Sequence, residues 1–465
     1  MKNSMLKLST LSAAVLSAST AMAGGFDNSD RSLDILFGND NVITTSYGQT
    51  AVPMKATVEQ GTNSGNTVQS GKIVDDFTRP TVAFRYNITD EVSCATKYEQ
   101  PYAASVAYKD DALAYTGESA PISTNYNSES ITAVCGYDFA LSTGEVKVYG
   151  GPKIQKLDGS FDEDLTNTPA GFGMDGATDN LDVQLDGGSE VGFVVGAAFS
   201  IPEIALRASI TYHSQIDYSA DGDLTAIIPA SSADVAAGLV AAGALDASLQ
   251  GAAAATLGLT QGQAFSTSAA AKTFTPQSVE IKLQSGIAEN TIASLTMRWA
   301  EYSKLAELDI TGGNEGIAGT NNTFLGGTGG EITLQQLAAA GADSLVNPTV
   351  SMFSNDTLDY SLGLGRRISD KLSLGTSFSG SIKLGSKPSD TPLGADSTSL
   401  RLPGDTSHTL SLGGEYTVMP GMKVNGGFGY TFINAYVVQE KDNSFKAEFS
   451  KTEATSFQMG VSYEI

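Results

Sequence analysis

Along most of the chain, apolar residues alternate with polar or small ones in runs of about ten residues. The run 371–383 is the plainest case. Leu372, Leu374, Phe378 and Ile382 fall on one face, and Lys371, Ser373, Ser377, Ser379, Ser381 and Lys383 fall on the other. The last residues repeat it, with Phe457, Met459, Val461, Tyr463 and Ile465 set against Ser456, Gln458, Ser462 and Glu464. Strand side chains point alternately to two faces, so each run predicts a strand with one apolar and one wet side. The pattern predicts fourteen strands, over 41–52, 79–88, 91–102, 129–139, 144–156, 189–200, 203–216, 274–287, 291–302, 357–368, 371–384, 406–418, 421–437 and 448–465.

The connections sharpen the prediction. Thr89-Asp90, Ser142-Thr143, Ile201-Pro202, Glu289-Asn290, Ser369-Asp370 and Met419-Pro420 mark tight turns. Between them lie long loops at 53–78, 103–128, 157–188, 217–273, 303–356, 385–405 and 438–447. Strict alternation of short and long connections is the plan of a transmembrane β-barrel, with short turns on one side and long loops outside. An even strand number closes the wall and satisfies every backbone group in lipid. The expected fold is therefore all-β: a transmembrane antiparallel barrel of about 14 strands. A soluble repeat protein or adhesin barrel is the structural alternative, but it predicts no apolar outward face. Two loops have helical composition. Residues 232–258 are Ala-rich with Val235, Leu239 and Leu249 at near-helical spacing, and Thr333–Leu345 opens with Thr333-x-x-Gln336, a capping-box pattern.

Met1–Ala23 reads as a secretory signal peptide, with Lys2 and Lys7, an apolar Leu8–Ala18 stretch and an Ala21-Met22-Ala23 cleavage site. The expected organisation is thus 1–23 signal peptide, 24–40 an N-terminal segment, and 41–465 the barrel. Among 465 residues, 27 Lys+Arg face 51 Asp+Glu, a net charge of −24, which argues against nucleic acid as a partner. Two His and two Cys are too few for a zinc cluster or an iron–sulfur centre, so no metal and no cofactor is expected.

An enzyme is a poor fit. A serine hydrolase needs a base within reach of its hydroxyl. His213 and His408 stand beside Ser214 and Ser407, but neighbouring strand residues point to opposite faces. No catalytic residue is expected. The carboxylates Asp158, Asp162, Glu163 and Asp164 lack the ordered spacing of a calcium loop and read as a solvated acidic loop.

Several stretches resemble the FadL-type family of outer-membrane transporters for long-chain fatty acids and other hydrophobic compounds. They are Gly24-Gly25-Phe26 with Arg31–Phe37, Ile88-Thr89-Asp90, Tyr98-Glu99-Gln100-Pro101-Tyr102, Tyr149-Gly150-Gly151-Pro152-Lys153, Pro276-Gln277-Ser278, Gly286-Ile287-Ala288 and Arg298-Trp299. Their order covers nearly the whole chain after residue 23. The resemblance implies an N-terminal hatch (24–40) in the lumen, capture of hydrophobic small molecules by external loops, lumenal binding and sideways exit through the wall. It also favours a monomer among outer-membrane lipid and lipopolysaccharide. A general diffusion porin is the alternative transporter.

The site residues expected on this reading fall in four groups. Phe26 and Phe37 anchor the hatch, Phe26 also counting as a ligand contact. Arg85, Arg207, Lys282 and Arg298 face the lumen, where they bind a ligand carboxylate or pair with Glu280 and other acids. Leu239, Leu249, Leu334 and Leu337 offer an apolar capture groove. Gln100, Pro101 and Tyr102 mark the lateral opening, because proline cannot complete a central ladder. Cys94 and Cys135 lie in the outward register of adjacent strands, as a disulfide or as two thiols facing lipid.

Overall fold

In the computed structural model, the structure describes residues 27, 31–38, 41–60, 67–69, 71–108, 122–164, 180–228, 231–241, 243, 245–305, 307–325, 328–339, 346–352, 355–384, 406–439 and 445–465. Fourteen antiparallel strands form a closed barrel. They are β1 (Val42–Ala51), β2 (Phe77–Asn87), β3 (Val92–Glu99, then Ala103–Ala107), β4 (Ile122–Leu141), β5 (Gly144–Asp164), β6 (Asn180–Ile201) and β7 (Leu206–His213, then Ile216–Ile227). There follow β8 (Ala264–Thr275, then Ser278–Ala288), β9 (Thr291–Ala300, continued by Glu307–Gly312), β10 (Thr349–Ser351, then Asp356–Arg367), β11 (Leu372–Leu384), β12 (Ser407–Met419), β13 (Met422–Ile433) and β14 (Thr452–Glu464). β1 pairs with β2 at Val42↔Arg85 and with β14 at Val42↔Glu464, which closes the wall. Each predicted strand is present, in order.

The six short turns lie between the expected strand pairs, and each has a local cause. The Thr89 hydroxyl accepts from the backbone N–H groups of Glu91 (3.2 Å) and Val92 (3.0 Å). The Ser369 hydroxyl does the same for Lys371 (3.3 Å) and Leu372 (3.1 Å). Gly421 turns the chain at φ +79°, in the left-handed region that favours glycine.

In the membrane zone the outward positions are apolar. Val82, Phe84 and Tyr86 of β2, Leu362 and Leu364 of β10 and Phe457, Met459 and Val461 of β14 all stand exposed on the outer face. The inward positions are polar, as Ser377, Ser379 and Ser381 of β11 are. Farther out the pattern inverts. On β5, β6 and β7 the inward residues are Leu157, Phe161, Leu181, Val183, Leu185 and Leu224, all buried, whereas Asp158, Asp162, Asp182, Asp186, Asp221 and Asp223 take the opposite face.

This inversion corrects the predicted ends of β4 to β8. The ladders continue well past 156 and 216, to Asp164 and Ile227, and begin well before 129, 189 and 274, at Ile122, Asn180 and Ala264. Above the bilayer the wall faces water, so a strand there carries polar residues outside and apolar ones inside. Such a segment looks like a loop to a search for apolar outward faces. Strand breaks line up where the polarity changes. Ser214–Gln215 in β7 and Pro276–Gln277 in β8 lie side by side, since His213 pairs with Ser278 and Ile216 with Thr275.

The outer mouth is filled by loop structure. Helices α1 (Ser232–Ala241), α2 (Gln250–Thr256) and α3 (Leu334–Leu337) pack over it. The expected capping box is formed at α3. Thr333 Oγ1 accepts from Gln336 N (3.3 Å) and Gln336 Oε1 accepts from Thr333 N (3.0 Å). Residues 340–345 of the predicted helical stretch lie outside the described residues. Val235, Leu239, Leu257, Leu334 and Leu337 join the inward residues of β5–β7 in one apolar cluster. Full burial of each such side chain is worth about 1.5–3 kcal/mol.

Candidate functional site: the plugged lumen

The N-terminal segment enters the barrel, and its described residues are Asp27 and 31–38. Phe26 and the signal-peptide residues lie outside the described residues. Asp34–Phe37 forms one 3-10 turn. Leu33 and Leu36 pack on Ala95, Val134, Tyr149, Val194 and Ala198 of the wall. Phe37 meets Tyr149 edge-on, with ring centres 5.6 Å apart.

Charge fixes this segment at two levels. At the lower one, Asp34 lies between Arg207 (3.0 Å) and Lys282 (3.1 Å), and Ser32 Oγ donates to it (2.7 Å). The Leu36 carbonyl accepts from Arg85 Nε (3.3 Å) and Lys147 Nζ (3.4 Å). Lys97 Nζ donates to the Ser32 carbonyl (3.0 Å). At the upper level, Asp27 accepts from Arg298 (2.8 Å), Arg31 (3.0 Å) and the Tyr302 hydroxyl (2.6 Å). Arg298 Nε also donates to Asp359 (3.0 Å), and the Arg31 guanidinium lies 4.6 Å from the centre of the Tyr102 ring. Burial alone raises a carboxyl pKa. At these two hatch residues the cations outweigh burial: Arg298 and Arg31 hold Asp27, and Lys282 and Arg207 hold Asp34, below the ordinary carboxylate range.

The four expected ligand cations, Arg85, Arg207, Lys282 and Arg298, are therefore brought together, but around the hatch. Lys282 also pairs with Glu280 (3.3 Å). Of the four expected groove residues, Leu239, Leu334 and Leu337 are inside the packed cluster and Leu249 alone is exposed, at 45%. The inward register located the cations and offered Glu280 as a partner for one of them, but not the hatch acids. Asp27, Tyr102 and Tyr302 as a latch were missed. The one sequence signal was the i,i+4 spacing of Asp27 and Arg31 within a polar N-terminal stretch.

The wall is modified at β3. The β2–β3 ladder runs from Asn87↔Ser93 to Thr81↔Glu99 and is taken up again at the bridge Val74↔Val106. Between these points lie 76–80, with Pro80, and 100–104, with Pro101. β3 itself breaks at Gln100–Tyr102, where Tyr102 bridges to Asp27 of the hatch. On the far side Ser128 of β4 holds Tyr102: its hydroxyl accepts from Tyr102 N (2.8 Å) and donates to Tyr102 O (2.8 Å). The expected opening residues thus sit together at a break that touches the hatch.

Cys94 and Cys135 are register partners on β3 and β4, with Cα atoms 4.0 Å apart, and the structure joins them. They stand on the outward face close to the short-turn end. Among the described residues no group of three or more metal-ligating side chains occurs.

A family model described as outer membrane protein transport protein (OMPP1/FadL/TodX) matches residues 36–465. The chain is similar in structure to a FadL homologue of Pseudomonas aeruginosa, with 15% identity, 96% of each chain covered and a TM-score of 0.64. It is also similar to the toluene transporter TodX of P. putida, with 11% identity, 93% of this chain and 92% of that one covered, and a TM-score of 0.57. The toluene transporter TbuX of Ralstonia pickettii gives 10% identity, 96% and 97% coverage and a TM-score of 0.53. At these identities the likeness is one of fold. No curated protein sequence matches the chain.

Proposed function

The chain belongs to the OMPP1/FadL/TodX family of outer-membrane transport proteins for hydrophobic compounds, and from that premise we propose that it moves long-chain fatty acids or similar hydrophobic molecules passively, with sideways exit at the β3 break. The observation that carries this reading is the conjunction at Tyr102. One residue ends the interrupted part of β3, bridges to Asp27 of the hatch, and lies under Arg31. A hydrophobic cargo gains nothing by entering water and gains its burial energy again in lipid, so a route through the wall is downhill. A lateral route needs a gap in the ladder, and two prolines flank this one. A hatch pinned by charge also speaks against an open water-filled porin.

On this reading the signal peptide is removed at Ala23, the monomer stands in lipopolysaccharide, and the loop surface around Leu249 receives the cargo. The substitutions Pro80→Cys and Gln100→Cys continue the register beyond Thr81↔Glu99, and a short bifunctional thiol reagent bridges them. Closing the wall there is expected to stop delivery of a fluorescent fatty acid while surface binding persists. Full delivery through the cross-linked barrel places the exit elsewhere.

A further inference from the structure

We infer that the wall carries a second port, between β6 and β7, through which uncharged hydrophobic molecules dissolved in the outer leaflet enter the barrel. It is separate from the break at β3, and it concerns molecules that reach the protein from lipid and not from the water above the loops.

The β6–β7 ladder runs from Ile201↔Leu206 to Val194↔His213 and resumes only at Asp186↔Asp221. Residues 187–193 and 214–220 therefore face each other without a ladder pair. The cause lies in the pleat. β7 changes phase at Ser214–Gln215: Thr211 and His213 are the buried, inward residues below it, and Ile216, Tyr218 and Ala220 those above it. β6 changes phase higher up, where Gly187 and Gly188 form a bulge against β5: Val194 and Gly192 are inward below it, Leu185 and Val183 above it. Gly188 takes φ +64°, a conformation that favours glycine. Between the two changes, facing residues belong to opposite faces, and strands one residue out of step cannot share a ladder.

Side chains close the gap in place of hydrogen bonds. Ile216 rests on Gly192 and Tyr218 on Gly187: a Cβ added at these glycines would stand 2.6 Å from Ile216 Cγ1 and 3.2 Å from Tyr218 Cδ1. The Tyr218 hydroxyl donates to the Gln155 carbonyl of β5 (3.4 Å), so its side chain spans β6. Turning a side chain breaks no ladder, and these two act as shutters. Glu190 marks the space they cover. It is exposed, although its register partner Gln155 is 0% exposed. The β8–β9 ladder is also interrupted, between Ser278↔Ala300 and Ala271↔Ile310. There Gln277 bonds Glu301 through side chain (2.7 Å) and backbone (3.1 Å), and the Tyr302–Leu305 turn follows.

The rim selects the cargo. Its lower edge lies in lipid, with Val191 and Phe193 exposed on the outer face and the Tyr212 ring centre 5.8 Å from that of Phe193. Aromatic girdles mark the membrane interface. The upper edge is acidic, with Asp186, Glu190, Asp217 and Asp221 exposed. The cations beside them are Lys272, next in register to Ser219, and Lys156, which Asp158 holds at 3.0 Å. Such a rim repels a carboxylate. An uncharged molecule passes between two apolar surroundings, lipid and the cluster that contains Ile216, Tyr218 and Tyr102.

The test uses a lipid-soluble phenyldiazirine and the same compound bearing a carboxylate. The full chain is placed in lipid nanodiscs, each probe is activated by light, and labelled residues are located by peptide mapping against lipid-facing Leu362. The uncharged probe is expected to label Ile216 and Tyr218 more than about tenfold better than the acid does, a ratio equivalent to about 1.4 kcal/mol. Ser189→Cys and Ser219→Cys, at exposed positions on either side of the gap, are joined by a short bismaleimide. This cross-link is expected to abolish the labelling while the mouth stays open. Tyr218→Ala, checked for heat-modifiable mobility, is expected to raise labelling of Leu157, and an unchanged level overturns the shutter role. Absent labelling, equal labelling by both probes, or labelling that survives the cross-link overturns the inference. Fatty-acid delivery is expected to persist in the cross-linked barrel, because the β3 break is untouched, and its loss there alone shows that the gap is no separate port. Failure of the wild type to deliver fatty acid counts against the transport reading and not against the port.

Discussion

Replacing Asp27 by Asn tests whether charge holds the hatch. Asp27 is fully buried and carries ion pairs to Arg298 at 2.8 Å and Arg31 at 3.0 Å, with a further bond from Tyr302 at 2.6 Å. The amide keeps the shape and removes the charge. Breaking a buried pair by removing one partner costs about 3–5 kcal/mol, because the other charge stays buried without compensation. Here Arg298 retains Asp359 and Arg31 retains the Tyr102 ring, so the lower end, about 3 kcal/mol, applies. At about 1.4 kcal/mol per factor of ten, the undocked hatch becomes on the order of 100-fold more populated. Planar-bilayer recording reads this directly as brief ion-conducting openings. The wild type is expected to be nearly silent, and Asp27→Asn is expected to open about 100 times as often. A correctly assembled variant as silent as the wild type refutes the claim that this cluster latches the plug.

Four further outcomes follow from the same geometry. Non-reducing peptide mapping of the exported protein is expected to recover Cys94 and Cys135 in one linked pair, and two free thiols reject the bond drawn between them. Leu249→Asp, on an exposed position, is expected to change stability by less than about 0.5 kcal/mol yet slow uptake at low ligand concentration. Leu337→Ala, inside the cluster, is expected to cost about 2–5 kcal/mol, read as a lower unfolding midpoint. Asp27 and Asp34 are held below the ordinary carboxylate range; their contribution to docking is fully present above about pH 4 and is lost as pH falls through the lower folded values. The barrel should stay silent at pH 5 and begin to conduct only in stronger acid, and opening already at pH 5 contradicts the assignment.

The wall was legible because lipid outside and a polar lumen inside impose a strict period of two, as 371–383 shows. The capping box at Thr333 was legible because it is a local pattern. The upper halves of β4–β8 were not, since leaving the bilayer reverses which face is apolar. The plug network was hidden for a different reason. Lys282 and Arg298 show their inward face in their own strands, but the acids that engage them lie 248 and 271 residues away, and local pattern has no access to that distance. Lys153 and Gln155 share the inward register of Tyr149 and Leu157 on β5, so their direction was readable. That both Gln155 amide atoms lack a partner among the described residues was not, because it depends on other strands.

The unequal heights of the wall set the geometry of approach. β4, β5 and β6 contain 20, 21 and 22 residues, whereas β1 contains 10. At about 3.3 Å per residue the tall strands are roughly 70 Å long and β1 roughly 33 Å. The barrel is therefore cut obliquely, like a quill, with its crest over the arc that follows β3 and its low lip near the β14–β1 seam. The small sheet made by Ala56–Gln60, Thr67–Gln69, Tyr436–Gln439 and Phe445–Phe449 grows from that low side, as a separate parapet over the seam.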